Sequence, residues 1–138
     1  MAAGLRVVID TSIWIDYYRG AGGPNSAVLE NAMASHRIVV PTVVMLEILR
    51  GVPDEKTAKE LEADLRGYDC VDICTSEIAA KAAANYRALR SRAVTIRSSI
   101  DLLIGTWCIE NGTCLFHRDR DFKAMEKHLN LRCLASAE

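Results

Sequence analysis

Four carboxylates stand out by where they fall in the chain: Asp10, Glu47, Asp101 and Asp119. Asp10 closes the apolar run VVI, and Asp119 lies three residues past Phe116, which ends the apolar run CLF. Glu47 is set in VVMLEIL, with Val43, Val44 and Arg50 three and four residues away. A carboxylate in such a stretch is costly unless its charge is compensated. Asp101 sits in IDLLIG, three residues after Ser98, at the start of an expected helix whose positive end suits an anion. The spacings are 37, 54 and 18 residues, one acid for each successive α/β unit. Four carboxylates brought to one crevice repel one another, and a cation relieves that repulsion. An all-oxygen ligand set indicates a hard ion, Mg²⁺ or Mn²⁺, which keeps several waters and leaves positions for phosphate.

Each acid alone also has an ordinary reading. Asp10 can be a turn or cap residue, and Asp101 can form a capping box with Ser98. Asp119 can cap the last helix, and Glu47 can pair with Arg50 or a distant arginine. The metal reading rests on the four together.

The elements that must carry these acids follow from periodicity. Short apolar runs at 5–9, 37–40, 70–73, 113–116 and 131–134 are expected strands. A helix capped by Ser12 is expected to stop at Gly20, and AGGPNS is expected to be a loop. Further helices are expected over 28–35, after Pro41 to Gly51, and after Pro53 to Gly67. A long helix capped by Thr75 or Ser76 shows Ile78, Ala79, Ala82, Ala83, Tyr86 and Leu89 on one face. Helices over 99–109 and 122–128 complete the set. Buried strands alternating with helices give an α/β fold, a three-layer α/β/α sandwich around a central parallel sheet. Ligands in such sheets bind at the carboxyl ends of the strands, where Asp10 and Asp119 fall.

At 138 residues the chain is expected to be one domain spanning 1–138, and half of its residues are hydrophobic, enough for a substantial core. With 17 basic and 18 acidic residues, global charge neither suggests nor excludes a nucleic-acid partner. Cys70, Cys74, Cys108, Cys114 and Cys133 make an odd count with no C-x-x-C pair, which argues against a disulfide framework and a zinc site. Cys70, Cys108 and Cys114 lie in apolar contexts and read as small hydrophobes. No apolar stretch approaches the length of a membrane span, so a cytoplasmic protein is expected.

The stretches VVIDTSIWIDYYRG, VVPTVVMLEILRG, TIRSSIDLLIG and CLFHRDRDF resemble, in order and spacing, the four motif blocks of VapC-like PIN-domain toxins. The resemblance covers nearly the whole chain. It implies a Rossmann-like PIN domain, Mg²⁺-dependent cleavage of RNA to 5′-phosphate and 3′-hydroxyl ends, and inhibition by a cognate VapB-like antitoxin. By position it makes Asp10, Glu47, Asp101 and Asp119 the acidic cluster, with Asp10 and Asp101 as principal ligands. Thr11 and Ser12 follow the first aspartate as in the family, where they orient it or serve as ordinary caps. Asp121 stands beside Asp119 as a second acid in the fourth block, of which Asp119 holds the family position. A homodimer, and a larger assembly with antitoxin bound over the early helices, are also implied by family alone. His117 stands where many members have threonine, and Ser91-Arg92-Ala93 lacks the glycine usual before the third block.

Arg87, Arg90, Arg92 and Arg97 precede the third block, and Arg118 and Arg120 flank Asp119. The guanidinium fork suits phosphate, which makes Arg92, Arg97 and Arg118 the first candidates for RNA contact. His36, His117 and His128 are scattered and read as ordinary surface or structural residues. Trp14, Tyr17 and Tyr18 read as core or dimer surface rather than as base-stacking platforms. Two other classes fit the residues less well. An aspartyl phosphotransferase would want adjacent acids at the first strand and a late lysine, where Asp10-Thr11-Ser12 and His117-Arg118 stand instead. A binding module without catalysis has nothing in its favour while all four acids are present. A PIN nuclease of RNA maturation keeps the same chemistry under a different biology.

Overall fold

The structure is a computed structural model that describes residues 4–20 and 22–134. Its strands are β1 (Arg6–Ile9), β2 (Arg37–Pro41), β3 (Asp69–Val71), β4 (Cys114–Phe116) and β5 (Cys133–Leu134). They form one sheet in the order β3-β2-β1-β4-β5, and every neighbouring pair is parallel. Between them run α1 (Thr11–Tyr18), α2 (Pro24–Ser35), α3 (Thr42–Arg50), α4 (Glu55–Arg66), α5 (Ser76–Arg90), α6 (Ser99–Glu110) and α7 (Arg120–Leu129).

Successive side chains of a strand point to opposite faces, yet Val7, Val8 and Ile9 are all fully buried. Both faces of the sheet are therefore covered, as a parallel sheet requires. Helix α1 packs against α2 and α3, and α3 against α4, while α5, α6 and α7 pack on one another as a second group. Trp14, Phe116 and Phe122 are the bulkiest wholly buried side chains. The expected three-layer α/β/α architecture is what the chain adopts.

The strand order places the crevice. The chain lays down β1, β2 and β3 outwards in one direction, then returns to set β4 on the other side of β1. Where the order reverses, the connections at the carboxyl ends of β1 and β4 diverge and leave an opening. The Asp10 amide donates to the Phe116 carbonyl at 2.9 Å, so the pairing runs to the rim of that opening.

Several local expectations need correction. The run Pro24-Asn25-Ser26 is the first turn of α2 rather than loop: proline at the helix start has φ preset, and the Ser26 hydroxyl donates to the Gly22 carbonyl at 2.9 Å. Ala21, in the same expected loop, lies outside the described residues. Helix α1 is capped at Asp10 by backbone position, and Ser12 is already inside it. The third strand runs Asp69–Val71, on the sheet edge, and leaves Cys70 exposed. Cys108 and Cys114 are buried, as expected.

Candidate active site

Asp10 ends β1 at the crevice and is nearly buried, at 8 % exposure. Although it occupies the N-cap of α1, its side chain makes no capping bond. Its Oδ2 instead accepts from the Ser12 hydroxyl at 2.9 Å. The simple cap reading therefore fails for this residue. The Thr11 hydroxyl reaches across to α3 and donates to Glu47 Oε1 at 2.7 Å. The two hydroxyls after Asp10 thus serve two different acids. Glu47 is half-buried and takes its compensation from Thr11, not from Arg50.

Asp101 lies in the first turn of α6, where the Ser98 hydroxyl accepts from its amide at 3.2 Å. Half of the expected capping box is thus present. Asp119 is the N-cap of α7, with Oδ1 accepting from the Asp121 amide at 2.8 Å. One oxygen is spent on the cap, and the second remains for other work.

Electrostatics tie these acids together. The Asp101 carboxyl is pushed up to about 7, first by burial and then by the charges of Asp10, Asp119, Glu47 and Asp121. Asp10 is also raised, chiefly by burial; the Ser12 hydroxyl and Thr11 amide pull the other way, and Asp119 and Glu47 add to the rise. Like charges raise a carboxyl only at short range. The four acids, from a strand end and three helices, are thus near enough for their charges to couple, although no three of them bring ligand atoms within 4.8 Å of one another among the described residues. A buried carboxyl whose neighbours include three further acids fits a hard divalent ion as part of an all-oxygen donor set.

Asp121 is buried and, although its charge reaches Asp101, its side-chain hydrogen bond is with Arg97. Its Oδ2 accepts from the Arg97 amide at 3.3 Å and lies 3.7 Å from Arg97 Nε. It ties the segment before α6 to the start of α7, so that Asp101 and Asp119 are held in one register. Arg118 is also engaged, 2.5 Å from Asp16 on α1. Arg92 is exposed and makes no ion pair among the described residues.

His117 went unread as part of the site. It is buried, and its Nδ1 accepts from the Asp119 amide at 3.0 Å, fixing the backbone that presents the fourth acid. Burial lowers its proton affinity and favours the neutral ring. The only signal in the sequence was an imidazole two residues before an acid.

The sequence model of the PIN domain matches residues 7–128. The chain belongs to the PIN-domain family. It is 31 % identical over 128 residues to VapC ribonuclease Mb1587 of Mycobacterium bovis, covering 91 % of this chain and 96 % of that protein. Ribonuclease VapC11 of Mycobacterium tuberculosis matches with the same identity and coverage. Among solved structures, VapBC2 from Rickettsia felis, bound to a promoter DNA fragment, matches with a TM-score of 0.73 at 18 % identity, over 94 % of this chain and 98 % of that one. VapBC-1 from nontypeable Haemophilus influenzae gives 0.73 at 13 % identity, over 94 % and 97 %. At such identities these structures support the fold alone. The VapC-like character expected from the four motif blocks is borne out, and with it the PIN-like α/β/α sandwich. No helix among the described residues is long and apolar enough to cross a membrane.

Proposed function

We propose that this PIN domain is a Mg²⁺-dependent endoribonuclease and the toxin of a toxin–antitoxin pair, acting in the cytoplasm. The observation that carries the reading is that Asp10, Glu47 and Asp119 lie near enough to Asp101 for their charges to add to the burial that raises its carboxyl to about 7. These four carboxylates would hold Mg²⁺, or Mn²⁺ in its place. The bound ion supplies a water acidic enough to attack a phosphodiester and positive charge for the leaving oxygen.

The chain's own residues do the rest. Ser12 and Thr11 hold Asp10 and Glu47 as acceptors facing the crevice. Asp121 and His117 fix the two backbone segments that bring in Asp101 and Asp119. Arg92 is free to take a phosphate, while Arg97 and Arg118 reach one by exchanging the carboxylates of Asp121 and Asp16. The Arg118–Asp16 pair is partly exposed on both sides and weak enough for that exchange, and the exposed Arg97 side chain is held to the buried Asp121 only by a contact of 3.7 Å.

The partner surface is an apolar groove of about 200 Å³ between α1, α3 and α4, lined by Ile15, Tyr18, Ile48, Val52 and Leu61. Ile15 lies one turn beyond Thr11, and Ile48 follows Glu47. An antitoxin segment in the groove would lie one helical turn from Thr11, whose hydroxyl holds Glu47. The solved relatives include toxin–antitoxin complexes, which agrees with such a partner.

The test is cleavage of RNA by antitoxin-free protein. Cleavage should need Mg²⁺, stop with chelator and vanish in Asp101→Asn. Activity that survives chelation would refute the metal site. Mapping new 5′ ends in total RNA after brief induction identifies the substrate.

A further inference from the structure

His117, just past β4, belongs to a separate cluster of side chains with metal-ligand chemistry. His117, Glu126 and Cys133 each offer a ligand atom, and those atoms all lie within 4.8 Å of one another. They come from three successive pieces of one unit: the end of β4, the middle of α7, and β5. The pairing of β4 with β5 sets Cys133 opposite Leu115, two residues before His117, which brings thiol and imidazole to the same side. Glu126 is exposed and free to adjust. None of the three belongs to the carboxylate cluster. Their chemistry differs as well, being nitrogen, oxygen and sulfur rather than oxygen alone.

We propose that His117, Glu126 and Cys133 form a site for a zinc-class ion, and that filling it opposes the backbone arrangement that presents Asp119. Ligands of a tetrahedral zinc stand about 3.3–3.6 Å apart, given bond lengths of about 2.0–2.3 Å. Closing from 4.8 Å or less asks for shifts of about 1 Å, which the exposed Glu126 side chain and a χ1 adjustment of Cys133 supply. A mixed imidazole–thiol–carboxylate set selects zinc over Mg²⁺. Binding replaces the Cys133 thiol proton, which leaves to solvent, and water takes the fourth position. The absence of a C-x-x-C pair argued against zinc in the sequence, but the ligands here lie 9 and 7 residues apart on different elements.

The coupling follows from the two nitrogens of one ring. In the described state Nδ1 accepts the Asp119 amide, so the neutral ring carries its proton on Nε2. An ion on Nε2 displaces that proton to Nδ1, which then faces the Asp119 N–H as donor against donor. A ligating histidine normally donates its other N–H to an acceptor. Zinc binding and the Asp119 amide bond therefore exclude one another, and the antagonism is reciprocal.

The test uses the full chain stripped of metal, with Co²⁺ and Zn²⁺ as probes, and neither readout depends on RNA cleavage. One equivalent of Co²⁺ should give a thiolate charge-transfer absorption that Zn²⁺ quenches and excess Mg²⁺ does not. Cys133→Ala should abolish the band. Glu126→Gln, a change at an exposed position that leaves packing intact, should weaken Co²⁺ binding at least tenfold, and Cys74→Ala should leave it unchanged. No band in the wild type, or a band that survives Cys133→Ala, overturns the site. Hydrogen exchange at the Asp119 amide should quicken at least tenfold on zinc loading. Unchanged exchange with the site filled overturns the coupling.

Discussion

Replacing Asp101 by asparagine should stabilise the metal-free protein while removing its activity. The Asp101 carboxyl rises from 3.8 to about 7 in the folded chain, and each unit is worth about 1.4 kcal/mol. The shift is thus worth at most about 4 kcal/mol, and about 2 kcal/mol once halved for the water that still reaches a half-buried group. The sign follows from linkage. A carboxyl that holds its proton more tightly when folded contributes stability below about pH 4 and loses it as pH rises to about 7. Asparagine does not titrate, so the variant should match the wild type near pH 4 and exceed it at pH 8. With an unfolding entropy of about 2.1 cal/mol/K per residue, 2 kcal/mol in a chain of 138 residues is about 7 °C in Tm. Thermal melts in chelator at pH 4 and pH 8 measure the difference. Adding Mg²⁺ at pH 8 should raise the wild type and narrow the gap. A variant that melts level with or below the wild type at pH 8 in chelator would refute the destabilising charge that burial and the neighbouring acids together impose on Asp101.

Two further substitutions test the supports of the site. Thr11→Val removes the hydroxyl that donates to Glu47 at 2.7 Å; the expected cost is about 1 kcal/mol in stability and a several-fold rise in the Mg²⁺ needed for half-maximal cleavage. An unchanged Mg²⁺ titration would mean that Thr11 serves only the helix. Ala93 has φ of 61° where α5 ends, with the Val94 amide closing onto the Leu89 carbonyl. Ala93→Gly should therefore gain roughly 0.5–1 kcal/mol, or about 2–3 °C in Tm, and a lower Tm would count against strain at that residue.

The parts of the molecule that could be read from sequence are those fixed by local pattern. Asp10 and Asp119 follow buried apolar runs, and a parallel sheet leaves few places for a polar residue at a strand end except the ligand edge. The glycine expected before the third block also had a physical meaning, since Ala93 adopts the conformation that glycine adopts freely. What escaped was pairing at long range. Thr11 with Glu47 spans 36 residues and Arg97 with Asp121 spans 24. Nothing local says that adjacent hydroxyls part to serve different acids. The role of His117 escaped for a similar reason: a histidine that accepts a backbone amide leaves no periodic trace. Pro24 did carry a signal, but the glycines before it made the segment read as loop although proline suits the first helical position.

The remaining question is how a fold tolerates four repelling carboxylates before any ion arrives. Three of them stand at helix starts, Asp10 for α1, Asp101 for α6 and Asp119 for α7, where the helix dipole favours negative charge. Glu47, in the middle of α3, has no such help and takes the Thr11 hydroxyl. Asp10, the most buried, takes the Ser12 hydroxyl besides. Asp101 is the acid whose carboxylate accepts no hydrogen bond from backbone or side chain among the described residues, and it is the one whose proton affinity reaches neutrality. The strain therefore collects on the residue with the fewest donors. Supplying Asp101 with a protein donor would lower its proton affinity, but it would also remove the reason for a cation to enter. On the proposed reading, a site that exchanges a proton for a divalent ion near pH 7 needs one carboxylate left short of partners. The fully buried strands beneath it, Val7 to Ile9 and Leu115 to Phe116, keep the crevice from opening under the repulsion.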